Sequence, residues 1–233
     1  MGVTIPLLTE RAYEQLRRDI ISCSIPPGTE ISEGQLCSQY DLGKAAVRVA
    51  LTRLAHDGLV RAIPRRGYMV VPVTLQDIQD VFELRLLLEP AAARLATGKV
   101  NAQQLRMYDE MCCAGYEPGD AKSTARFLEA NKAFHVAIAR ATGNARLASA
   151  IEHLLDEMTR LLHLGLGLGL GLRKRAQEAH YEHKALVKAL VRDDGEAAER
   201  ICREQIEASR QMIVSAVLTS RSIMNLPITA GGA

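Results

Sequence analysis

The stretch "LGKAAVRVALTRLAHDGLV", residues 42–60, combines a core-facing apolar pattern with positive charge. Val47 and Leu51 lie four residues apart on one helical face, so the segment is predicted to form a helix that packs on a core. Lys44 and Arg48 lie one turn apart near its start. A helix that is anchored by its apolar face and charged at its beginning raises the question of which anionic group that charge meets.

Composition bounds the class of protein. The 233 residues are 48% hydrophobic and 24% charged, which is typical of a folded, soluble chain with two domains of ordinary size. The N-terminus lacks the pattern of a secretory signal, and no apolar run reaches the length of a membrane span. The five cysteines lack the spacing of a zinc finger and are predicted to be reduced thiols. We therefore expect a cytoplasmic protein with no membrane partner.

Charge is distributed unevenly along the chain. The formal net charge is only +2, which excludes a protein that coats nucleic acid through its overall charge. Residues 41–73 nevertheless contain six Lys and Arg side chains and two Asp side chains, so the rest of the chain carries a net negative charge. Such asymmetry predicts that this part of the chain meets a polyanion.

Local signals divide the N-terminal part into three helices and a β-hairpin. The helices are predicted over residues 9–22, 33–40 and 44–56. Thr9 is predicted to cap the first helix, and Ser32 and Gln35 form a capping-box pair at the start of the second. Gly58 is expected to end the third helix.

A β-hairpin follows the third helix. Two β-type runs, residues 59–63 and 68–73, flank the sequence "PRRG". Three helices followed by a hairpin are the arrangement of a winged helix-turn-helix, whose third helix lies in the DNA major groove with its N-terminal residues toward base edges. The predicted contacts lie at the helix start and at the hairpin tip: Lys44, Arg48, Arg65, Arg66 and Gly67. The alternative is that these are solvated charges on a small α/β module, but basic residues at both contact points favour DNA binding.

Three sequence blocks of this domain resemble the DNA-binding domain of the GntR family of bacterial transcription regulators. The blocks are "PPGTEISEGQL" (26–36), "VRVALTRLAHDGLV" (47–60) and "PRRGYMV" (64–70). The resemblance covers about residues 9–73 and implies a recognition helix that starts at Gly43, Lys44 and Ala45 and includes Arg48. The family usually begins this helix with Ser-Arg-Thr. Here Lys replaces Arg, and Ala45 offers only a methyl contact where Thr also offers a hydrogen bond.

The second half of the chain shows helical periodicity and no β-type pattern. Six helices are predicted, over residues 74–98, 101–114, 120–141, 144–163, 173–192 and 196–221. The predicted fold class is therefore mainly α, a winged helix-turn-helix followed by an all-α antiparallel bundle. We predict domains at 1–73 and 74–222 and a flexible tail at 223–233. The Gly-Leu repeat at 164–172 is predicted to be an irregular connection whose leucines dock on the bundle.

Four polar residues of the bundle are candidates for an internal site. Asn131 and His135 are four apart on one helix and therefore share a face. His183 lies on the fifth bundle helix and Gln205 on the sixth. Groups that project inward from facing helices are the usual way for a bundle to build a site. The alternative is a satisfied core histidine at 135 and a surface histidine at 180 or 183.

Successive blocks of this half resemble the FCD effector domain, which follows the winged helix in the FadR branch of the GntR family. The blocks are "RLLLEPAAARLA" (85–96), "NKAFHVAIARATGN" (131–144), "YEHKALVKALVRDDGEAAE" (181–199) and "EQI" (204–206). Six helices are closer to the shorter, VanR-like group. The resemblance implies that Asn131, His135, His183 and Gln205 occupy the positions of one Asp and three His around a divalent metal. Because two of these are not the usual ligands, we expect zinc or nickel to bind weakly or not at all, with His135 and His183 as the strong ligands.

The combined interpretation is a ligand-responsive, homodimeric transcription factor that acts as a repressor. Two-fold symmetric operators are read by two recognition helices one DNA turn apart, which predicts a dimer on palindromic double-stranded DNA. The resemblance implies a small organic acid or sugar acid as the effector. Arg85, on the first bundle helix, is expected to add the positive charge that binds the effector carboxylate.

Two other functions are weighed against this interpretation. A metal-dependent hydrolase would use His135 and His183, with the N-terminal domain as a DNA tether, but the sequence offers no matching set of nucleophile, base and orienting group. A structural DNA-binding protein would need a more basic chain and no pocket. Tight binding to one short palindrome, relieved by a small acid, distinguishes the regulator from both.

Overall fold

The computed structural model of the protein describes residues 5–113, 120–166 and 172–219. The chain divides into two compact units between Leu75 and Gln76. The described residues are mainly helical, with one small antiparallel sheet, which confirms the predicted fold class. None of the helices in the described part of the chain combines the length and the apolar character that crossing a membrane requires.

Three helices build the first unit. They are α1 (Ile5–Ile21), α2 (Glu33–Tyr40) and α3 (Lys44–His56). The prediction that Thr9 caps α1 is wrong, because the helix already begins at Ile5. Pro6 is compatible with this earlier start, since a proline in the first helical turn gives up an N–H group that has no partner within the helix.

The second helix begins with the predicted capping box. Ser32 Oγ accepts a hydrogen bond from the Gln35 N–H at 3.2 Å, and the Ser32 N–H donates to Gln35 Oε1 at 3.0 Å. At the other end Asp41 adopts a left-handed conformation with φ of 52° and ends α2. This cap leaves only a short turn before α3, so α2 and α3 form the predicted helix-turn-helix.

The sheet of the first unit has three antiparallel strands in the order β1 (Glu30–Ile31), β3 (Gly67–Val70) and β2 (Val60–Ile63). Both hairpin strands are shorter than predicted, and β3 ends at Val70 instead of residue 73. Strand β1 was not predicted, because two residues are too few to show an alternating pattern. It pairs with β3 through Glu30 opposite Met69 and Ile31 opposite Tyr68.

Gly67 is the first residue of β3, the strand that pairs with β1. Its φ is 111°, and a Cβ atom at this position would lie 2.5 Å from the Ile31 carbonyl oxygen. No other residue type fits this combination of backbone angle and close approach. Gly67 is therefore required for the hairpin to pair with β1.

The core of the first unit joins α3 to α1. Val47, Leu51 and Leu54 of α3 are fully buried in one cluster with Leu16 and Ile20 of α1. Burying each such side chain contributes about 1.5–3 kcal/mol to folding. Since one face of α3 is committed to this core, the opposite face and the first turn remain at the surface.

Six helices build the second unit within the described residues, as predicted. They are α4 (Leu75–Ala96), α5 (Ala102–Cys113), α6 (Ala121–Ala141), α7 (Ala145–Leu166), α8 (Leu172–Val191) and α9 (Gly195–Thr219). Asp120 caps α6 by accepting hydrogen bonds from the Lys122 and Ser123 N–H groups. Asn144 caps α7 in the same way.

The Gly-Leu repeat is partly helical. Helix α7 continues to Leu166 and α8 begins at Leu172, so the prediction of an irregular connection is wrong at both ends of the repeat. One glycine near the end of a helix costs only about 1 kcal/mol relative to alanine, so Gly165 is compatible with the longer helix. Residues 167–171 and the predicted tail lie outside the described residues.

Pro90 interrupts the hydrogen bonds of α4. Its missing N–H leaves the carbonyl of Leu86 without the usual helical donor. Arg203 of α9 donates Nη1–H to this Leu86 oxygen at 3.5 Å. This hydrogen bond connects α9 to α4 close to Arg85 and Glu89, which are buried residues of α4.

Candidate functional site

The start of α3 is open to solvent. Gly43 is its N-cap and supplies no side-chain hydrogen bond, and the first turn contains no acidic residue. Lys44, Ala45 and Arg48 are exposed, whereas Val47 next to them is buried. The N–H groups at the start of a helix carry partial positive charge, so this turn favours an anion in addition to the two cationic side chains.

Arg48 is held by an acid that the sequence analysis missed. Its Nε donates to Glu33 Oε1 at 3.0 Å and its Nη2 to Glu33 Oε2 at 3.1 Å. These hydrogen bonds hold the pKa of Glu33 below its ordinary value. Glu33 lies in the first turn of α2, so the crossing of α2 and α3 brings the pair together.

The hairpin tip repeats this arrangement. Arg66 Nη2 lies 3.0 Å from Glu30 Oε2, and both side chains are partly exposed. Arg65 is exposed as well and has a left-handed backbone with φ of 65°. The missed acids Glu30 and Glu33 are three residues apart, and this spacing in "TEISE" is the signal that could have revealed them.

Arg53 has a different position from the other cations of α3. Its Nη1 lies 2.6 Å from Glu10 Oε2, and its guanidinium stacks 3.8 Å from the centre of the Tyr13 ring. Burial, and a hydrogen bond to Asp57, raise the pKa of Tyr13 to about 12. Arg53 therefore joins α3 to α1 and is distinct from the cations at the helix start.

The second unit contains a cavity between α4, α6, α7, α8 and α9. All five residues predicted for the internal site line it: Arg85, Asn131, His135, His183 and Gln205. The open space at its centre is about 40 Å³, whereas one water molecule needs about 10–15 Å³ on the same measure. The cavity therefore has room for a small group without any rearrangement.

Each histidine of the cavity lies beside a buried carboxylate, and the contact of His183 is a hydrogen bond. His183 Nδ1 lies 3.1 Å from Asp109 Oδ1 on α5, and His135 Nδ1 lies 3.3 Å from Glu89 Oε2 on α4. The two rings are 5.6 Å apart between centres, and Phe134 stacks on His183 at 4.0 Å. With Nδ1 directed at a carboxylate, Nε2 is the nitrogen of each ring left for a ligand.

The cations of the cavity also have acidic partners. Arg85 Nε donates to Glu89 Oε1 at 2.5 Å, and both side chains are buried. Lys132, which lines the cavity, forms an ion pair with Asp156 of α7. Arg85 was predicted as a single positive charge, and the structure places a neutralising carboxylate beside it. Pairing of this kind is what allows these charges to be buried.

The residues of the cavity do not fit a resident zinc or nickel ion. Asn131 and Gln205 contribute neutral amide oxygens, which are poor ligands for these metals, and only two imidazoles accompany them. Within residues 5–113, 120–166 and 172–219, no group of three or more His, Cys, Asp or Glu side chains is arranged to hold a metal. The side chain of His180, considered as a replacement ligand, lies outside the described part of the chain.

Comparison with known proteins matches each of the two units to a domain family. Residues 80–208 match the FCD domain, and residues 8–70 match the bacterial regulatory proteins of the gntR family. The chain belongs to the GntR family. The resemblance noted in the sequence blocks is therefore confirmed.

Two relatives from Escherichia coli K12 are named repressors. The HTH-type transcriptional repressor RspR is 24% identical over 86% of this chain and 86% of its own length. The HTH-type transcriptional repressor GlaR is 25% identical over 83% of this chain and 90% of its own. Solved structures show the same fold. Escherichia coli McbR/YncC has a TM-score of 0.74 at 22% identity, and the match covers 89% of this chain and 97% of the McbR/YncC chain. A GntR regulator from Rhodococcus sp. RHA1 has a TM-score of 0.72 at 23% identity, and the match covers 89% of this chain and 98% of the Rhodococcus chain.

The regulator is thus a DNA-binding transcription factor with an effector-binding FCD domain, and it is not an enzyme. The alternative of a hydrolase built on His135 and His183 is not supported. The family binds DNA through its winged helix and small molecules through its FCD domain. These are the two places where the structure has the exposed basic turn and the buried polar cavity.

Proposed function

We propose that the regulator is a cytoplasmic, homodimeric repressor that binds a palindromic operator and releases it when a small carboxylate enters the FCD cavity. The observation that carries this proposal is the convergence of Arg85, Asn131, His135, His183 and Gln205 on one buried cavity. A second unit that was merely structural would bury these polar groups at a cost without a use for the space between them.

The DNA contacts are assigned to two short segments of the first unit. The start of α3 supplies Gly43, Lys44, Ala45 and Arg48, and the wing supplies Arg65, Arg66 and Gly67. The exposure of the α3 start and the absence of acids from its first turn support base contacts in the major groove. The pairing of both Arg48 and Arg66 with nearby glutamates supports a surface prepared for phosphate or guanine, which bind a guanidinium in the same two-point geometry as a carboxylate.

A dimer is supported by an apolar stripe on α4. Leu84, Leu87 and Leu95 are 46%, 63% and 52% exposed, and their spacing places them on one side of the helix. Phe82 and Glu89 are buried on the other side. A second copy of this chain would cover the stripe and provide the second recognition helix that a palindrome needs.

The charge of the cavity favours a head group that accepts hydrogen bonds. Arg85 gives only one of its N–H groups to Glu89 in the contact described, and Asn131 and Gln205 each carry an amide N–H₂. Glu182 adds an acid to the lining, so the positive charges of Arg85 and Lys132 are the groups that would balance a bound carboxylate. A metal is not needed for this mode of binding.

In this proposal residues 1–73 form the DNA-binding domain, and residues 74–222 form the domain that binds the effector and dimerises. Residues 223–233 form a tail. The test is footprinting of the purified chain on genomic fragments, followed by a screen for acids that release the operator. Protection of one palindromic site by a dimer, relieved by a carboxylate, is the expected result. Specific binding as a monomer, or release only by cations or neutral compounds, contradicts the proposal.

A further inference from the structure

The FCD cavity has two chemically different ends. Charged and amide groups come from four helices, with Arg85 on α4, His135 on α6, His183 on α8 and Gln205 on α9, and α7 adds the Thr159 hydroxyl. The apolar side chains of the lining belong to α6, α7 and α9: Phe127, Leu128, Leu155, Met158, Leu162, Ile206 and Met212. Leu155 and Ile206 lie at the level of the polar residues, since Ile206 follows Gln205 and Leu155 packs with Val136, next to His135; the other five apolar residues lie toward one end of the cavity.

Helix geometry gives the length over which the lining changes. At about 1.5 Å per residue, Phe127 lies roughly 12 Å before His135 on α6, and Met212 lies roughly 10 Å after Gln205 on α9. Leu162, near the C-terminal end of α7, packs against the cluster that contains Phe127. Phe127, Leu162 and Met212 therefore lie toward one end of the cavity, away from the histidines.

The polar residue that α7 adds to this lining, Thr159, uses its hydrogen-bond donor within its own helix. The Thr159 hydroxyl donates to the Leu155 carbonyl oxygen at 2.7 Å, so its hydrogen is used within the helix. Ser209 lies on α9 between Gln205 and Met212. The described lining thus has its N–H donors at one end, together with Leu155 and Ile206, and mainly hydrocarbon at the other.

We infer that the effector is an amphipathic monocarboxylate, whose carboxylate lies among the polar residues and whose aliphatic or aromatic tail lies among the apolar ones. This inference rests on the proposed function, because it names the chemical class of the same effector. A hydrocarbon tail is stabilised by leaving water for apolar surroundings, whereas the hydroxyls of a sugar acid would lose water there without gaining partners. Met158 and Met212 are flexible and adapt to tails of different shape.

A matched pair of ligands tests the chemical class. Hexanoate and gluconate are carboxylates of equal chain length, and gluconate differs by its hydroxyl groups. We expect calorimetry on the full chain to show a Kd about tenfold or more lower for hexanoate than for gluconate. From butanoate to hexanoate, Kd should fall about fourfold per added methylene, the equivalent of ~0.8 kcal/mol. Gluconate binding as tightly as hexanoate, or a Kd independent of chain length, overturns the inference.

Variants at the apolar end test its location. Met212→Gln is expected to raise the Kd for hexanoate about tenfold and to reduce the dependence on chain length. Met111→Gln is the matched control, since Met111 is an exposed methionine of α5 away from the cavity, and it should leave the Kd unchanged. Leu162→Asn provides a second variant at the apolar end if Met212→Gln folds poorly. An unchanged chain-length dependence in the folded cavity variants overturns the inference.

Operator binding, measured in the same preparations by fluorescence anisotropy, separates this inference from the proposed function. Release of the operator by gluconate but not by hexanoate overturns the amphipathic class and leaves the repressor function intact. A chain that binds hexanoate but protects no specific DNA site contradicts the proposed function and leaves the chemical class of the ligand intact.

Discussion

Arg48 forms a bidentate pair of hydrogen bonds with Glu33: Arg48 Nε donates to Oε1 at 3.0 Å, and Arg48 Nη2 donates to Oε2 at 3.1 Å. The same two edges of a guanidinium bind a phosphate or the O6 and N7 atoms of guanine. Contact with DNA through these edges therefore requires Arg48 to exchange the glutamate for the nucleic acid. We expect this exchange to affect both the affinity of the α3 start for DNA and its preference for one sequence.

Arg48→Ala and Arg66→Ala should each weaken operator binding. If Arg48 contacts a base, its loss is expected to raise the operator Kd about tenfold or more. Arg66, at the wing, is expected to act on phosphate, so its loss should weaken all DNA similarly and reduce the dependence of Kd on salt. Fluorescence anisotropy titrations at several salt concentrations measure both effects.

Arg53→Ala is the matched control for these variants. Arg53 is on the same helix, but its guanidinium contacts Glu10 and stacks on Tyr13. Its removal should leave the operator Kd within about twofold, provided that circular dichroism shows an intact fold. Unchanged operator affinity in both folded variants, Arg48→Ala and Arg66→Ala, would show that the DNA contacts lie elsewhere.

Glu33→Gln should reduce specificity. The change removes a negative charge that lies beside the DNA-binding helix and frees the guanidinium of Arg48. We expect Kd for scrambled DNA to fall more than Kd for the operator, so their ratio decreases. Glu14→Gln, at an exposed position of α1, is the control for the loss of one negative charge. Weaker binding of Glu33→Gln to both DNAs would mean that Glu33 orients Arg48 for its contact.

Helix α3 shows how far local signals define this fold. The predicted range, residues 44–56, is the observed one. Gly43 precedes and Gly58 follows a segment whose apolar residues recur with the period of an α-helix throughout. Strand β1 was missed, since its two residues gain strand geometry only by pairing with β3. The start of α1 was placed too late because Thr9 has the side chain of a cap and tertiary packing extended the helix beyond it.

The cavity shows which site residues could be predicted from the sequence and which could not. Asn131, His135, His183 and Gln205 were identified by resemblance and by helical spacing, and they do line one cavity. The acid that orients His183 was missed. Asp109 is 74 residues away in sequence, and only the packing of α5 against α8 brings the pair together. Ion-pair partners on different helices leave no periodic signal in one sequence.

Effector and operator should oppose each other. By thermodynamic linkage, an effector that weakens operator binding is itself bound more weakly, by the same factor, when the operator is present. Typical coupling is about 5–150-fold. Calorimetric titration of the effector with and without a saturating operator duplex measures this factor. Equal effector affinity in the two titrations would exclude allosteric control of DNA binding by this ligand.

Acidification should destabilise the second unit through His163. Burial in α7 lowers the pKa of His163 from its ordinary value of 6.5. Below pH 6.5 the unfolded chain therefore takes up a proton at this position more readily than the folded chain, and stability falls as pH decreases through that value. We expect His163→Gln to have a smaller decrease in Tm between pH 7.5 and 5.5 than the wild type. His153→Gln, at an exposed histidine of the same helix, is the control and should keep the wild-type decrease. A wild-type decrease in His163→Gln as well would show that other groups cause it.

Metal should be absent from the purified wild-type regulator. Asn131 and Gln205 face the cavity together with His135 and His183, but their amide oxygens are neutral. Two imidazoles and two amides form a weak site for zinc or nickel, unless a carboxylate effector completes the coordination. Elemental analysis before and after chelation measures the occupancy. Stoichiometric zinc or nickel that is retained without an effector would contradict this prediction.

The double variant Asn131→Asp with Gln205→His should acquire a metal site. It restores an anionic oxygen and a third imidazole at positions that already line the cavity with His135 and His183. Asp109 hydrogen-bonds Nδ1 of His183, and Glu89 lies 3.3 Å from Nδ1 of His135, so Nε2 is the nitrogen of each ring that we expect to bind the metal. We expect about one equivalent of zinc per chain and a higher Tm in its presence, since a metal that binds only the folded state stabilises it. Adding His135→Gln to this variant should abolish both effects by removing one strong ligand. If the double variant gained no zinc, or if the gain survived His135→Gln, the four positions would not converge on a single metal site.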